Sequence, residues 1–185
     1  MTPKTFLRNI LPANVLALKN DVFLLIVHAN RIPPHICISV FGKIYSIGAK
    51  GHLIGSDLEP FIRTIQRNKI ETLFVKLIAP EILTTNQIIE TITKITLALP
   101  NLEPGTVTCL SPVKNFCKSI YLTETENVRF VFELIPKLEN QKVLGQVYHL
   151  NMGKYFLKEN NFLLNTYGMF EINEAIFRSS SAIVY

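Results

Sequence analysis

Short apolar runs alternate along the chain with segments in which apolar residues recur at helical spacing. The runs over 21–30 and 71–78 are strongly apolar and rich in β-branched residues, which predicts two buried strands. The segments 57–68 and 84–99 each begin at a residue type that caps helices, and their apolar residues recur every three or four positions. Strands and helices in this order predict an α+β domain with a small antiparallel sheet packed against helices.

A hairpin is predicted over 35–49, directly after Pro33-Pro34. The two prolines impose an extended backbone, and Gly42-Lys43 is the expected tight turn. Closure of the hairpin on that turn pairs residue 39 with residue 46.

His35 opens the first strand of this hairpin, near a sheet edge where a site can form. Alternate side chains of a strand share a face, so His35 and Cys37 are expected on one face. The predicted pairing adds Ser46 to that face, and also His52 if pairing extends through the loop expected at 50–55. A histidine at a strand end is most often a hydrogen-bonded structural residue, and that alternative stays open for His35.

The second half of the chain combines helices with an aromatic tail. One helix is expected to carry Cys109 or to begin just after it. Another is expected over 124–134 and to be interrupted at Pro136. Two aromatic segments flank residues 158–161, which are an expected hairpin turn.

Length and composition fit one folded domain. A chain of 185 residues with 48% hydrophobic and 18% charged residues has the opposite balance to a disordered chain. No repeat or flexible linker divides it, so we expect a single domain over 1–185, with a core at 20–121 and a C-terminal helix and hairpin extension at 122–185. The apolar content first favours a well-filled core. An exposed apolar surface that serves a homo-oligomer is the second interpretation.

Charge and hydropathy narrow the classes of partner. The net charge is +5, but the 19 lysines and arginines are scattered and no RNA-binding aromatic motif is present, so no nucleic-acid partner is expected. No stretch of about 18 apolar residues occurs, so no membrane span is expected. Three cysteines do not form an even disulfide framework, and the N-terminus lacks a signal-peptide pattern. A cytoplasmic protein is therefore predicted.

Cys109 is the candidate nucleophile. A cysteine at a helix N-terminus feels the positive end of the helix dipole, which favours the reactive thiolate, and a neighbouring imidazole completes a Cys–His pair. The helix can begin two residues later at Ser111-Pro112, or Cys109 can be the N-cap; both registers stay open. Cys117 lies on the apolar stripe of the same helix and is expected to be a buried structural thiol.

Neither a metal nor a cofactor is expected. His35 and Cys37 have no further cysteine or histidine at a metal-ligand spacing, and no phosphate-binding loop motif is present.

Two segments resemble a known superfamily. Residues 34–48, PHICISVFGKIYSIG, and residues 108–116, TCLSPVKNF, are similar to the histidine-first hairpin and the cysteine helix of circularly permuted papain-like proteins. That group includes the bacterial YiiX-like proteins, relatives of the NlpC-type hydrolases, and lecithin retinol acyltransferase. The resemblance covers about residues 20–121 and implies a permuted papain-like fold.

The resemblance also implies roles for individual residues. Cys109 becomes the nucleophile and His35 the general base of a cysteine hydrolase or acyltransferase acting on an amide, ester or thioester, for example of a peptide or an acyl-lipid. Family members place a polar residue on the next strand to orient the imidazole; Ser46 is the candidate here and His52 the alternative. The competing hypothesis is a catalytically inactive papain-like module that binds a protein or lipid partner.

Overall fold

A computed structural model describes residues 4–181, apart from the side chains of residues 158, 180 and 181. Within this range the chain forms a seven-stranded sheet, a separate two-stranded sheet and five α-helices. The strands are β1 (Phe6–Leu7), β2 (Leu11–Pro12), β3 (Val22–Val27), β4 (His35–Val40), β5 (Lys43–Gly48), β6 (Gly51–Asp57), β7 (Thr72–Leu77), β8 (Leu144–Leu150) and β9 (Phe162–Leu163). The helices are α1 (Leu58–Arg67), α2 (Thr85–Ala98), α3 (Ser111–Tyr121), α4 (Val131–Asn140) and α5 (Met169–Ser181).

The main sheet has the strand order β2-β8-β7-β3-β4-β5-β6. Strands β3 to β6 form an antiparallel meander, while β2 and β8 run parallel. The arrangement confirms the predicted α+β class, but the sheet is large and mixed rather than small and antiparallel. The sheet is larger because β8, from the expected C-terminal extension, pairs with β7, and it is mixed because β2 runs parallel to β8.

Both faces of the sheet are covered at its centre. Strand β3 is buried along its whole length, and its side chains alternate between two cores. The first core includes Leu24 and Ile26 and packs against α2, α3 and α4. The second includes Leu25 and Val27 and packs against α1.

The β4–β5 hairpin closes on Phe41-Gly42 rather than on the predicted Gly42-Lys43. Both turn residues have positive φ, 47° and 77°, as a two-residue turn between twisted strands requires, and glycine adopts such a φ without strain. Ser39 therefore pairs with Ile44 and not with residue 46. The observed partner of Ser39 is two residues away from the predicted one. Because side chains alternate between faces with a period of two, the predicted assignment of the hairpin side chains to faces is unchanged.

The predicted loop at 50–55 is wrong, because residues 51–55 belong to β6. Gly51 and Gly55 suggest a loop, and both adopt positive φ, 100° and 65°. The strand nevertheless pairs with β5 along its length, with one irregularity near Ile44 and Tyr45. It is half-buried at the sheet edge, where such irregularities are common.

The predicted helix over 124–134 is displaced, since α4 begins only at Val131 and contains Pro136. A proline inside a helix leaves the carbonyl four residues earlier without its N–H partner. That carbonyl belongs to Phe132, and the hydroxyl of Thr5 donates to it at 2.9 Å. A contact from the distant N-terminal segment therefore compensates for Pro136.

The predicted tail hairpin is reduced to one isolated bridge between Leu157 and Asn161. Strand β9 pairs instead with β1, near the N-terminus. Helix α5 follows β9 and has no counterpart among the predicted elements.

Candidate functional site

The candidate site lies where β4 and β5 separate. The pairing of these strands extends from Val40 to Ile38 and stops before the start of β4, whereas β3 still pairs with His35 on the other side. The N–H group of Ile36 is free for another acceptor, and it donates to the Sγ atom of Cys109 at 3.4 Å. The gap in the sheet therefore holds the cysteine sulfur.

A tight turn positions Cys109 in this gap. The N–H of Thr108 donates to the Ser111 hydroxyl at 3.0 Å, and the N–H of Leu110 donates to the Thr108 hydroxyl at 3.3 Å. Helix α3 begins at Ser111, with Pro112 in its first turn. The helix thus begins two residues after Cys109, as in the first of the two registers that the sequence leaves open.

Cys109 and His35 line the same cavity, which has a volume of about 210 Å³. Most of its lining is apolar, and helix α5 covers one side with Ile172, Ala175 and Ile176. Arg129 is the only lysine or arginine among the described lining residues. A small apolar group of a ligand fits this space next to the thiol.

The two candidate residues approach the gap from opposite faces of β4. Cys109 packs against the first core, which contains Ile36. Strand alternation places His35 with Cys37, whose side chain belongs to the second core. The unpaired end of β4 is what brings His35 and Cys109 to one cavity.

Burial keeps both groups neutral in the resting site. It raises the pKa of the Cys109 thiol, an effect opposed by the backbone N–H groups of Ile36, Cys109 and Leu110 around the sulfur. Burial lowers the pKa of the His35 ring, and the neighbouring His28 imidazole lowers it further. The resting pair is therefore a thiol and a neutral imidazole, and any nucleophilic role of the sulfur would require it to lose its proton.

Ser46 and His52, the two residues predicted to orient the His35 imidazole, lie on different faces of the sheet. Ser46 is buried in β5 opposite Leu53 and has the same face parity as Ile44, a member of the second core, as predicted. His52 pairs with Ile47 and lies on the other face, so the expectation that it shares the face of His35 is wrong. Its Nε2 lies 2.8 Å from the carbonyl oxygen of Leu99, and this contact holds the end of α2.

No sequence pattern predicts the polar cluster that lies next to His35. The Glu71 carboxylate accepts a hydrogen bond from the Tyr155 hydroxyl at 2.9 Å, and that hydroxyl accepts one from Asn30 at 2.9 Å. Burial lowers the pKa of His28 and Arg31 lowers it further, while Glu71 opposes both effects. The Nδ1 of His28 is buried with no hydrogen-bond partner among the described residues. Strand pairing assembles this cluster, because the N–H of Ala29 donates to the Glu71 carbonyl at 2.9 Å.

The other two thiols are buried. Cys37 lies in the second core and Cys117 in the first, where burial raises the pKa of Cys117 to about 12. The predicted burial of Cys117 is confirmed.

Residues 4–181 hold neither a metal-ligand cluster nor a membrane-spanning helix. No group of three or more histidine, cysteine, aspartate or glutamate side chains in this range is arranged to hold a metal ion. None of the helices in the same range combines the length and apolar character needed to cross a membrane.

No family model, curated protein or solved structure matches the chain. Its function is therefore inferred from the site alone.

Proposed function

We propose that the chain is a cysteine hydrolase or acyltransferase that acts on an amide, ester or thioester through a Cys109–His35 dyad. The carrying observation is that the Cys109 sulfur lies in a cavity that His35 also lines, with the Ile36 N–H donating to it at 3.4 Å. The chain order, a histidine at the start of β4 and a cysteine just before α3, supports a permuted papain-like fold.

Because both groups rest neutral, catalysis begins with a coupled proton transfer. His35 takes the thiol proton while the Cys109 sulfur attacks the carbonyl carbon, and the carbonyl oxygen becomes an oxyanion. The Cys109 N–H is the proposed backbone donor for it, since Pro112 has none, the Ser111 N–H is bonded to the Thr108 carbonyl at 2.9 Å and the Leu110 N–H to the Thr108 hydroxyl at 3.3 Å.

The second half of the reaction releases the product. The tetrahedral intermediate collapses, and His35 gives its proton to the leaving amine, alcohol or thiol. Water or an acceptor then attacks the Cys109 thioester while His35 takes its proton, and the acyl product leaves as the thiol reforms. Peptides and acyl-lipids are the proposed substrate classes, and the proposed location is the cytoplasm.

Hydrolysis of p-nitrophenyl acetate tests this function. The wild-type chain is expected to show a burst and an acetyl group on Cys109 by mass spectrometry, because acylation of activated esters is fast. Cys109→Ala and His35→Ala are expected to lower kcat/KM at least about 100-fold, in the range of general acid–base effects. The matched control is Cys117→Ala, which removes a thiol outside the cavity. Hydrolysis that survives in Cys109→Ala overturns the proposal.

One observation favours a second candidate, a catalytically inactive binding module. Burial disfavours the charged forms of both Cys109 and His35, and an apolar cavity lies against them. This candidate predicts that hydrophobic ligands bind equally well to the wild-type chain and to Cys109→Ala, and that neither hydrolyses the ester.

A further inference from the structure

A second, polar cleft adjoins the Cys109 cavity. Its volume is about 380 Å³, and Thr108, Leu110 and Arg129 border both spaces. A ligand whose reacting carbon lies at the Cys109 sulfur can therefore extend in two directions, into the apolar cavity and into the polar cleft.

The cleft carries excess positive charge. Lys114 and Arg129 line it together with a single acidic residue, Glu126. The Glu126 carboxylate is already bound by Lys118 at 2.6 Å, whereas no ion pair within residues 4–181 involves Arg129. A negatively charged group of a ligand in the cleft would therefore give Arg129 the ion-pair partner that residues 4–181 do not supply.

The backbone next to these cations is fixed. The N–H groups of Arg129 and Phe130 donate to the Glu133 carboxylate at 2.8 and 3.1 Å, and Lys114 donates to the Val128 carbonyl at 3.1 Å. These contacts hold the segment before α4 against α3, which sets the position of Arg129 at the junction of the two spaces.

The size of the apolar cavity limits the other part of the ligand. A protein cavity of about 150 Å³ accommodates benzene, which has six carbons. In proportion, the 210 Å³ beside Cys109 holds about eight carbons.

We infer that the substrate has two parts, an acyl group of up to about eight carbons in the Cys109 cavity and a carboxylate or phosphate in the cleft against Arg129 and Lys114. This inference rests on the proposed function, because it assigns the acyl group to the carbon that Cys109 attacks. Arg129 is the specificity-determining residue for the anionic part.

Alkylation of Cys109 tests the anionic part without requiring turnover. Iodoacetate and iodoacetamide have similar size and differ in charge; in each, the sulfur displaces iodide as the thiol proton leaves. The rate with iodoacetate divided by the rate with iodoacetamide at Cys109 is expected to fall about tenfold in Arg129→Gln at low salt. A tenfold change corresponds to the weak end of the range for hydrogen bonds to charged groups, which is expected because Arg129 is exposed. Arg129→Lys retains the positive charge and is expected to lower this ratio only slightly. Lys94→Gln removes a charge on α2, outside the cleft, and is expected to leave the ratio unchanged. An unchanged ratio in Arg129→Gln overturns the inference.

A series of p-nitrophenyl esters with acyl chains of increasing length tests the apolar part. The value of kcat/KM is expected to rise to about eight carbons and then fall. Ala175→Leu, which fills the cavity, is expected to shorten the optimum, and Ile172→Val is expected to lengthen it. If Cys109→Ala abolishes turnover but neither variant moves the optimum, the two-part substrate is wrong while the proposed function stands. If Cys109→Ala keeps full turnover, the proposed function fails.

Discussion

Alkylation of the folded chain is expected to select Cys109 from the three thiols. Cys37 and Cys117 are buried, whereas Cys109 borders a cavity large enough for iodoacetamide. The thiolate is the reacting species, so the pKa of each thiol limits its rate in addition to its access.

The expected protection of a buried thiol against alkylation can be worked out for Cys117. Burial raises the pKa of this thiol to about 12. At pH 8 a thiol with that pKa is about one part in 10⁴ thiolate, compared with about a quarter for an unperturbed thiol of pKa about 8.5. Folding is therefore expected to slow the alkylation of Cys117 roughly 2,000-fold through ionisation alone. Limited access slows it further, and the protection of Cys37 is expected to be at least as large, because burial raises its pKa too.

The folded chain is alkylated for set times, and the remaining thiols are labelled with a second isotopic form of the reagent after unfolding in urea. Peptide mass spectrometry of the two labels then gives a rate for each cysteine. The free energy of unfolding is measured in the same buffer, because unfolded molecules expose all three thiols. Cys109 is expected to react first, at a rate that climbs from pH 7 to 9 without a plateau, since burial raises its pKa. A Cys117 rate in the folded chain within tenfold of the unfolded rate, or a Cys109 rate no higher than that of Cys117, refutes the reasoning.

Three further predictions concern stability. The lowered pKa of the half-buried His35 ring means that, as the pH falls, the unfolded chain binds a proton at this residue before the folded chain does. The contribution of His35 to the free energy of unfolding is therefore full above about pH 6.5 and declines below it. His35→Gln is expected to flatten that decline in thermal melts, and an equal slope contradicts the prediction. Thr84→Ala removes the hydroxyl that accepts the Gln87 N–H at 3.3 Å and is expected to cost about 1 kcal/mol in urea unfolding, with Thr84→Ser near wild type; equal losses in both variants argue against the cap. Thr5→Val leaves the Phe132 carbonyl without a donor and is expected to cost about 1–3 kcal/mol; a loss below about 0.5 kcal/mol would show that water replaces Thr5.

Helix prediction was accurate where local signals agree with the buried face. The segments predicted over 57–68 and 84–99 form α1 and α2 with ends shifted by only one residue, because capping residues and apolar spacing are both local properties. The strand predicted over 71–78 likewise forms β7.

Elements that depend on distant partners were predicted poorly. Helix α4 contains Pro136 because Thr5 satisfies the Phe132 carbonyl, and no local pattern signals that contact. The Phe162–Leu163 strand pairs with the N-terminal β1 rather than within a tail hairpin. In each case the competing local signal, a proline or a polar turn, was real but was overridden by a contact across more than 100 residues.

The sequence by itself determined the α+β class, the strand that His35 opens and the cysteine that precedes an amphipathic helix, because each depends on neighbouring residues. Tertiary structure decided where these residues meet. Strands β4 and β5 separate beyond Ile38, and the freed Ile36 N–H binds the Cys109 sulfur across a chain separation that no sequence pattern encodes. The same packing placed His52 on the opposite face and brought Arg129 to the cavity, since register and helix docking depend on the whole buried surface.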